Sequence, residues 1–503
     1  MSVTGSRSGS SGITPPLILA LDIGSSSARA ALVDGAGKRV PGSLIHSGYQ
    51  QDTISSEHGS LDPHDLTRVV ESLIDQVLAL LGGNGAEIAA VGISTFWHSL
   101  MGIDADDKPV TRVLMWSDVR ASSQCHAFEV ALDPDAYRRR TGTPVHPSYP
   151  ALKLFWLRNE EPERFARARR WLSFGEYLLR MWCGADNVSI SMASATGMFD
   201  QTRLEWDQPT LQVLGIGAEQ LSRVSDDPAK ALRPTYTERW PALKRARWFP
   251  ALGDGACANV GSGAIGRECI ALSLGTSGAM RMLWEGDPVV PPDGLWLYRL
   301  DSRRVLLGGA LSEGGNLWQW ISERFVLPEE RDLATAIAAI PPDSHGLTWL
   351  PFLAGERSVG WSPEAHGVIS GLTLHTTSNE ILRSGLEAIA YRFGLIAERL
   401  RGYVAEDHVV IGSGNALVND RNWPQIVCDV IGNELIESLE PEASLRGAAL
   451  VALERIGAID RLDETAADIL EGAKRFIPDA ERHAIYLKGL ARQQELYRKL
   501  LGG

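Results

Sequence analysis

Short apolar runs that end in Gly and hydroxyl residues alternate along this chain with longer stretches whose apolar positions fall three and four apart. The first pattern predicts buried strands and the second amphipathic helices. Strands are expected over 17–23, 28–33, 88–95, 268–274 and 408–411. Asp62-Pro63-His64-Asp65 supplies an N-cap, a Pro at the first helical position and an early acid. The apolar spacing of Leu66, Val69, Val70, Leu73 and Val77 then predicts a long helix. A helix or turn is expected over 258–265 and a helix over 423–431. The class is therefore α/β, with functional groups expected at the carboxyl ends of strands.

One phrase occurs twice. Ala20-Leu21-Asp22-Ile23-Gly24-Ser25-Ser26-Ser27-Ala28 is matched by Ala271-Leu272-Ser273-Leu274-Gly275-Thr276-Ser277-Gly278-Ala279. Alone, either copy reads as an ordinary Gly/Ser turn. As a pair they predict two hairpins that present backbone N–H and hydroxyl donors to an anion, in a duplicated architecture whose copies face each other across a cleft. Asp22 stands where the second copy has Ser273, so only the first loop offers a carboxylate suited to Mg²⁺.

Composition narrows the partners. With 503 residues the chain exceeds a single core, and the repeat favours two large units, 17–262 and 263–503, divided near Gly261-Ser262-Gly263. A net charge of −13 argues against a broad nucleic-acid or anionic-membrane surface. Residues 1–16 are rich in Ser and Gly, lack the apolar segment of a secretory signal and read as a disordered tail. No apolar stretch approaches the ~20 residues of a membrane span. Five scattered cysteines without metal spacing fit a reduced, cytoplasmic thiol set. Trp-rich and apolar stretches in the second half would allow a homodimer contact.

Four further segments carry candidate chemistry. Gly253-Asp254-Gly255-Ala256 places a carboxylate between glycines, which is also how a surface turn reads. Trp97-His98-Ser99 at a strand end and Trp116-Ser117-Asp118-Val119-Arg120 combine aromatic walls, imidazole, carboxylate and guanidinium. That set suits a polyhydroxylated ligand, although a lone His or Trp more often packs a core. Ile411-Gly412-Ser413-Gly414-Asn415-Ala416 joins a strand to helical sequence and permits close backbone approach to a nucleotide. Pro351-Phe352-Leu353-Ala354-Gly355-Glu356-Arg357-Ser358 reads as a loop, with a structural corner locked by a Glu-Arg pair as its plain interpretation.

Taken in order, these segments resemble the FGGY carbohydrate kinases over essentially the whole chain after the tail. The resemblance implies two actin-like (ribonuclease H-like) domains of the sugar kinase/Hsp70/actin superfamily with an interdomain cleft. It also implies ATP-dependent phosphorylation of a sugar hydroxyl, with Asp254 as catalytic base and Asp22, with Asp254, on the metal side. Gly24, Ser25, Ser26, Ser27, Gly275, Thr276 and Ser277 match the phosphate loops, Gly315 a helix start near the phosphates, and Gly412, Gly414 and Asn415 the adenosine segment. The segment 371–391 is similar to the family's C-terminal signature, with Ala388 where Gly is common.

The stretches 96–100, 141–156 and 191–200 look most like the gluconokinase branch, with Trp97 in place of the usual Met. The implied substrate is D-gluconate, with D-xylulose second, and Ser148 stands where glycerol kinases carry a Tyr. The sugar site expected from these matches comprises Trp97, His98, Ser99, Asp118, Arg120, Ser148, Lys153, Asp254 and Gly255, with Arg120 and Lys153 as cations for the sugar-acid carboxylate. Each of these two cations also reads as a structural salt bridge. An actin-like ATP-binding protein without catalysis would share both loops but would not explain the aromatic segments.

Overall fold

The computed structural model describes residues 13–50, 59–81, 87–465 and 467–502. Leu17–Ile23 is a wholly buried strand, apolar except at Asp22, whose carboxylate is matched by a cation. Ser27–Val33 returns antiparallel to it, setting Arg29 opposite Asp22, and Ile45–Gly48 continues the meander. On the other flank Ile88–Thr95 runs parallel to Leu17–Ile23, and Arg247–Trp248 and Leu252–Gly253 run parallel to Ile88–Thr95. The crossover carries the expected helix, Pro63–Leu80, in which the Asp62 carboxylate accepts the N–H groups of His64 and Asp65. Its buried face, Leu66, Val70, Leu73, Ile74 and Val77, packs on the sheet. Burial of such side chains contributes about 1.5–3 kcal/mol each.

The plan then repeats. Cys269–Leu274 pairs antiparallel with Gly278–Glu285, which pairs antiparallel with Arg304–Leu311. Val409–Ser413 lies parallel to Cys269–Leu274 on its other side, and Leu435–Glu437 lies parallel beyond it. The duplicated phrase thus occupies the equivalent hairpin of two like-ordered sheets.

One helix departs from the order of the chain. Ala443–Arg455 follows the second sheet's strands, yet Leu445, Ala449, Leu450 and Leu453 share a core with Ile18, Ala20, Ala31 and Ala90 of the first sheet. It crosses the helix Asp254–Gly261 at backbone contact, and a Cβ on Gly447 would sit 1.9 Å from the carbonyl oxygen of Cys257. Buried Arg446 fastens the crossing by donating to the carbonyls of Gly261 (2.9 Å) and Gly37 (3.3 Å). The division drawn near residue 262 follows chain order, whereas packing returns 443–455 to the first sheet.

Other expectations shift locally. The segment expected over 258–265 is a helix that begins at Asp254, because extended Gly253 (φ −71°, ψ 136°) serves as its N-cap. Residues 1–12 of the expected tail lie outside the described residues. Its end, however, is bound: the Thr14 N–H donates to Asp34 (3.2 Å) and the Thr14 carbonyl accepts from Gly35 (2.6 Å). All five cysteines are free thiols. Among the described residues no helix is long and apolar enough to cross a membrane.

Candidate active site

Three parallel strands of the first sheet end side by side, with Asp22 in register with Ser94 and Gly253 with Thr95. This register brings the Asp22 loop, Trp97-His98 and Asp254 to one edge. The second loop approaches from the opposite sheet, and the intervening cleft of about 310 Å³ is lined by Asp22, Trp97, His98, Asp254, Gly255, Ser273, Gly275 and Ser277, among others. The two copies of the repeated phrase therefore bound one cavity.

Its carboxylates are held at unequal cost. Asp254 is the first residue of its helix and accepts the Gly255 N–H at 2.8 Å. Burial and the negative charge of Asp22 push its acid up to about 6, against the opposing pull of Arg281. Burial also raises Asp22, while Arg29 (3.1 Å) opposes the shift, and Arg29 reaches on to Glu442 at 3.0 Å. Buried Asp22 and half-buried Asp254, whose proton affinity Asp22 raises, are both oxygen donors on the lining of one cavity and fit a hard divalent cation. A second cluster of ligand-type groups, Asp343, His345 and Glu387, is filled by cations instead. Arg383 donates to Glu387 at 2.6 Å and Arg492 donates to Asp343 at 2.8 Å.

The cleft's other wall is aromatic. Trp296 and Tyr298 stack at 4.0 Å with planes 8° apart, and Trp97 meets both rings edge-on at 6.2 and 5.1 Å. The Trp97 indole N–H donates to the Ser191 carbonyl at 3.1 Å. A Cβ on Gly253 would lie 1.8 Å from this indole, so glycine before Asp254 is the condition for a Trp at position 97. His98 is held in the left-handed region (φ 63°) and its Nδ1–H donates to the Ala195 carbonyl at 2.8 Å. Burial and the Arg357 charge keep the ring neutral, which leaves Nε2 as a hydrogen-bond acceptor.

Several expected sugar-site residues stand off this lining. Ser99 accepts the Phe174 N–H (3.3 Å), and the Ser148 hydroxyl pairs with His146 Nδ1 (2.7 Å). Asp118 takes the Arg120 guanidinium on both carboxylate oxygens, and that guanidinium also stacks on Trp156. Lys153 is buried with its amine on the carbonyls of Pro147 and Ser148, both at 2.7 Å, and burial lowers it to about 7. The two cations expected to meet a substrate carboxylate are thus committed to the protein, because local sequence could not reveal which neighbour each would face.

Of the expected nucleotide-side residues, Gly275, Ser277 and Gly414 line the cleft and Gly315 and Asn415 an adjoining cavity, whereas Gly24, Ser25, Ser26, Ser27, Thr276 and Gly412 line neither. Gly24, Ser25, Ser26 and Ser27 form the first turn, closed by the Gly24 N–H on the Ser27 carbonyl (2.9 Å). Gly275, Thr276 and Ser277 form the second, and the N–H groups of Gly315 and Asn316 donate to the carbonyls of Gly275 (2.7 Å) and Thr276 (3.1 Å). Gly414 (φ 98°) abuts Leu274, where a Cβ would clash with its carbonyl oxygen at 2.5 Å. Gly315 and Asn415 line an adjoining cavity of about 640 Å³ with Trp318, Asn419 and Arg421. Gly412 instead lies inside its strand opposite Leu272, packed against Leu417 and Leu435.

Four cleft residues escape the sequence-level assignment. Arg281 was legible as a lone cation within the apolar strand Gly278–Glu285, and Trp296 with Tyr298 as an alternating pair on one strand face. Arg357 sits in the segment 351–358, but the expected Glu356–Arg357 lock does not form. Glu356 is taken by Arg392 and by the Tyr497 hydroxyl, and Arg357 lies over the Trp116 ring at 5.3 Å.

Models of the FGGY family of carbohydrate kinases match this chain twice, the N-terminal domain over 17–261 and the C-terminal domain over 270–454. The gluconokinase of Bacillus subtilis (strain 168) is 28% identical over 478 residues, covering 92% of this chain and 91% of the relative. The crystal structure of gluconate kinase from Lactobacillus acidophilus superposes with a TM-score of 0.88 at 26% identity, covering 96% of this chain and 98% of that one. A structure described as ligand-bound xylulose kinase from the same organism gives the same score, identity and coverage. The fold is the two-domain, actin-like sugar-kinase fold.

Proposed function

Since the chain belongs to the FGGY family of carbohydrate kinases, we propose that it transfers the γ-phosphate of ATP to a hydroxyl of D-gluconate, giving 6-phospho-D-gluconate and ADP. The observation that carries the phosphoryl transfer is the single cleft lined by Asp22, Asp254, the second Gly/hydroxyl loop and the aromatic wall. Similarity to gluconokinases favours gluconate, and the equal likeness to a xylulose kinase makes D-xylulose the second reading.

In this mechanism Asp254 accepts the proton of the attacking hydroxyl as the new O–P bond forms and the bond to the β-phosphate bridging oxygen breaks. The loop N–H and hydroxyl groups of Ser25, Ser26, Gly275 and Thr276 stabilise the charge spread over the transferring phosphoryl oxygens. His98 and the rings of Trp97, Trp296 and Tyr298 orient the sugar chain, and closure of the two domains on the substrates would exclude competing water. Gly315 and Asn415 belong to the nucleoside side. Mg²⁺ would be held by Asp22, with Asp254, and would neutralise the β- and γ-phosphates when bound.

A coupled ADP-release assay across gluconate, xylulose, ribulose, glycerol and fuculose tests the substrate. Stimulation by gluconate above all others is expected; no stimulation above the sugar-free rate overturns the gluconate reading. The base makes a separate prediction. Asp254 must be ionised to accept a proton, and its acid lies at about 6. Log kcat/KM for the sugar should therefore be level above that pH and fall about tenfold per unit below it. A profile flat down to pH 5 would remove Asp254 from the proton transfer.

A further inference from the structure

Arg357 is the cation of the cleft wall that the protein leaves without a counter-charge among the described residues. Its neighbours show the contrast. Arg29 is shared by Asp22 and Glu442, Arg281 donates to Asn259 (3.1 Å) and Ser273 (2.8 Å) beside Asp254, and Arg120 and Lys153 are committed as described. Arg357 has only the face of Trp116, and its Nε is buried with no hydrogen-bond partner. Arg357 as a whole is half-buried, but its buried Nε is a donor without an acceptor, a cost that a ligand anion in the cleft would remove.

The loop that carries it is built to hold it still. The Glu356 N–H donates to the Ser362 carbonyl (2.8 Å), Ser358 exchanges hydrogen bonds with Ala310 at 2.9 and 3.0 Å, and the Arg357 carbonyl accepts the Trp361 N–H at 2.7 Å. Glu356, the adjacent carboxylate, is drawn away to Arg392 and Tyr497. Arg357 shares one cleft with Asp254, Arg281, His98, Trp97 and Tyr298. Its charge acts on His98, His146, Lys153 and Tyr149 on the aromatic side and also on Arg281 beside Asp254.

We propose that Arg357 is the receptor for the substrate carboxylate and the residue that makes this kinase select a sugar acid over a neutral sugar. The proposal rests on the gluconate reading above. A planar fork held on an indole matches the two oxygens of a carboxylate, and with the acid end bound there the hydroxyl-bearing remainder of an extended polyol acid is left to reach Asp254 in the same cleft.

The test compares D-gluconate with D-glucitol, the same chain with a hydroxymethyl group in place of the carboxylate, in the wild type, Arg357→Gln and Arg357→Lys. In the Gln variant kcat/KM for gluconate should fall about 10²-fold, mainly through KM, with the glucitol value and the KM for ATP within about twofold of wild type. The Lys variant should recover part of the loss, since it restores the charge without the fork. Thermal melts and quenching of Trp fluorescence by gluconate report folding and binding independently of turnover. Equal losses with gluconate and glucitol would mean a structural role, and a raised KM for ATP would mean a phosphate-binding one; either overturns the proposal. A wild type that phosphorylates xylulose but not gluconate overturns the gluconate reading itself, and this inference with it.

Discussion

Replacing Asp254 by Asn is expected to lower kcat for sugar phosphorylation by about 10²- to 10⁴-fold while ATP still binds. The amide keeps the size of the side chain, and its oxygen can still accept the Gly255 N–H that now fixes the carboxylate. It removes only the proton-accepting charge. Because that charge is partly desolvated and repelled by its neighbour Asp22, its loss relieves repulsion, and the melting temperature should hold or rise. Calorimetric titration with ATP, beside the coupled ADP assay, separates the two effects. Turnover near the wild-type rate with normal ATP affinity would show that another group takes the proton.

The second large effect concerns the crossing of the helices Asp254–Gly261 and Ala443–Arg455. Gly447→Ala is expected to cost about 3 kcal/mol, the upper end of the usual penalty for overpacking, since the added methyl meets backbone and not a side chain that can turn aside. The new Cβ would lie 1.9 Å from the Cys257 carbonyl oxygen, so the helices must part by roughly 1 Å in an interior packed like a crystal. For a unit of this size the loss corresponds to a fall in Tm of roughly 6–12 °C. Catalysis should suffer too, because the helix displaced is the one that begins with Asp254. Gly402→Ala is the control, since a Cβ there has open space around it. If Gly447→Ala melts with the control, the crossing is looser than described.

These two positions differ in how they could be found. Asp254 stands in a short local pattern, and its resemblance to a known motif was readable although the start of its helix was displaced by four residues. Gly253-Asp254-Gly255 resembles a turn because two glycines flank an acid; in the fold extended Gly253, packed against Trp97, caps a helix that begins at Asp254. Gly447 offers no such signal. Its partner lies in a helix nearly two hundred residues earlier in the chain, and no local periodicity reports a contact of that kind.

Read alone, the amino-acid order was sufficient for the strands Leu17–Ile23 and Ile88–Thr95, for the helix Trp423–Ile431 and for the paired Gly/hydroxyl loops. Apolar runs, helical spacing and turn residues act within one element, so each carries its own signal. The choice among cations was made elsewhere. Arg120, Lys153 and Arg357 are chemically eligible in the same way, but folding supplies Asp118 to the first, two carbonyls to the second and only an indole face to the third. Which charge is left for a ligand depends on what lies opposite it in space, and that is decided when distant segments pack.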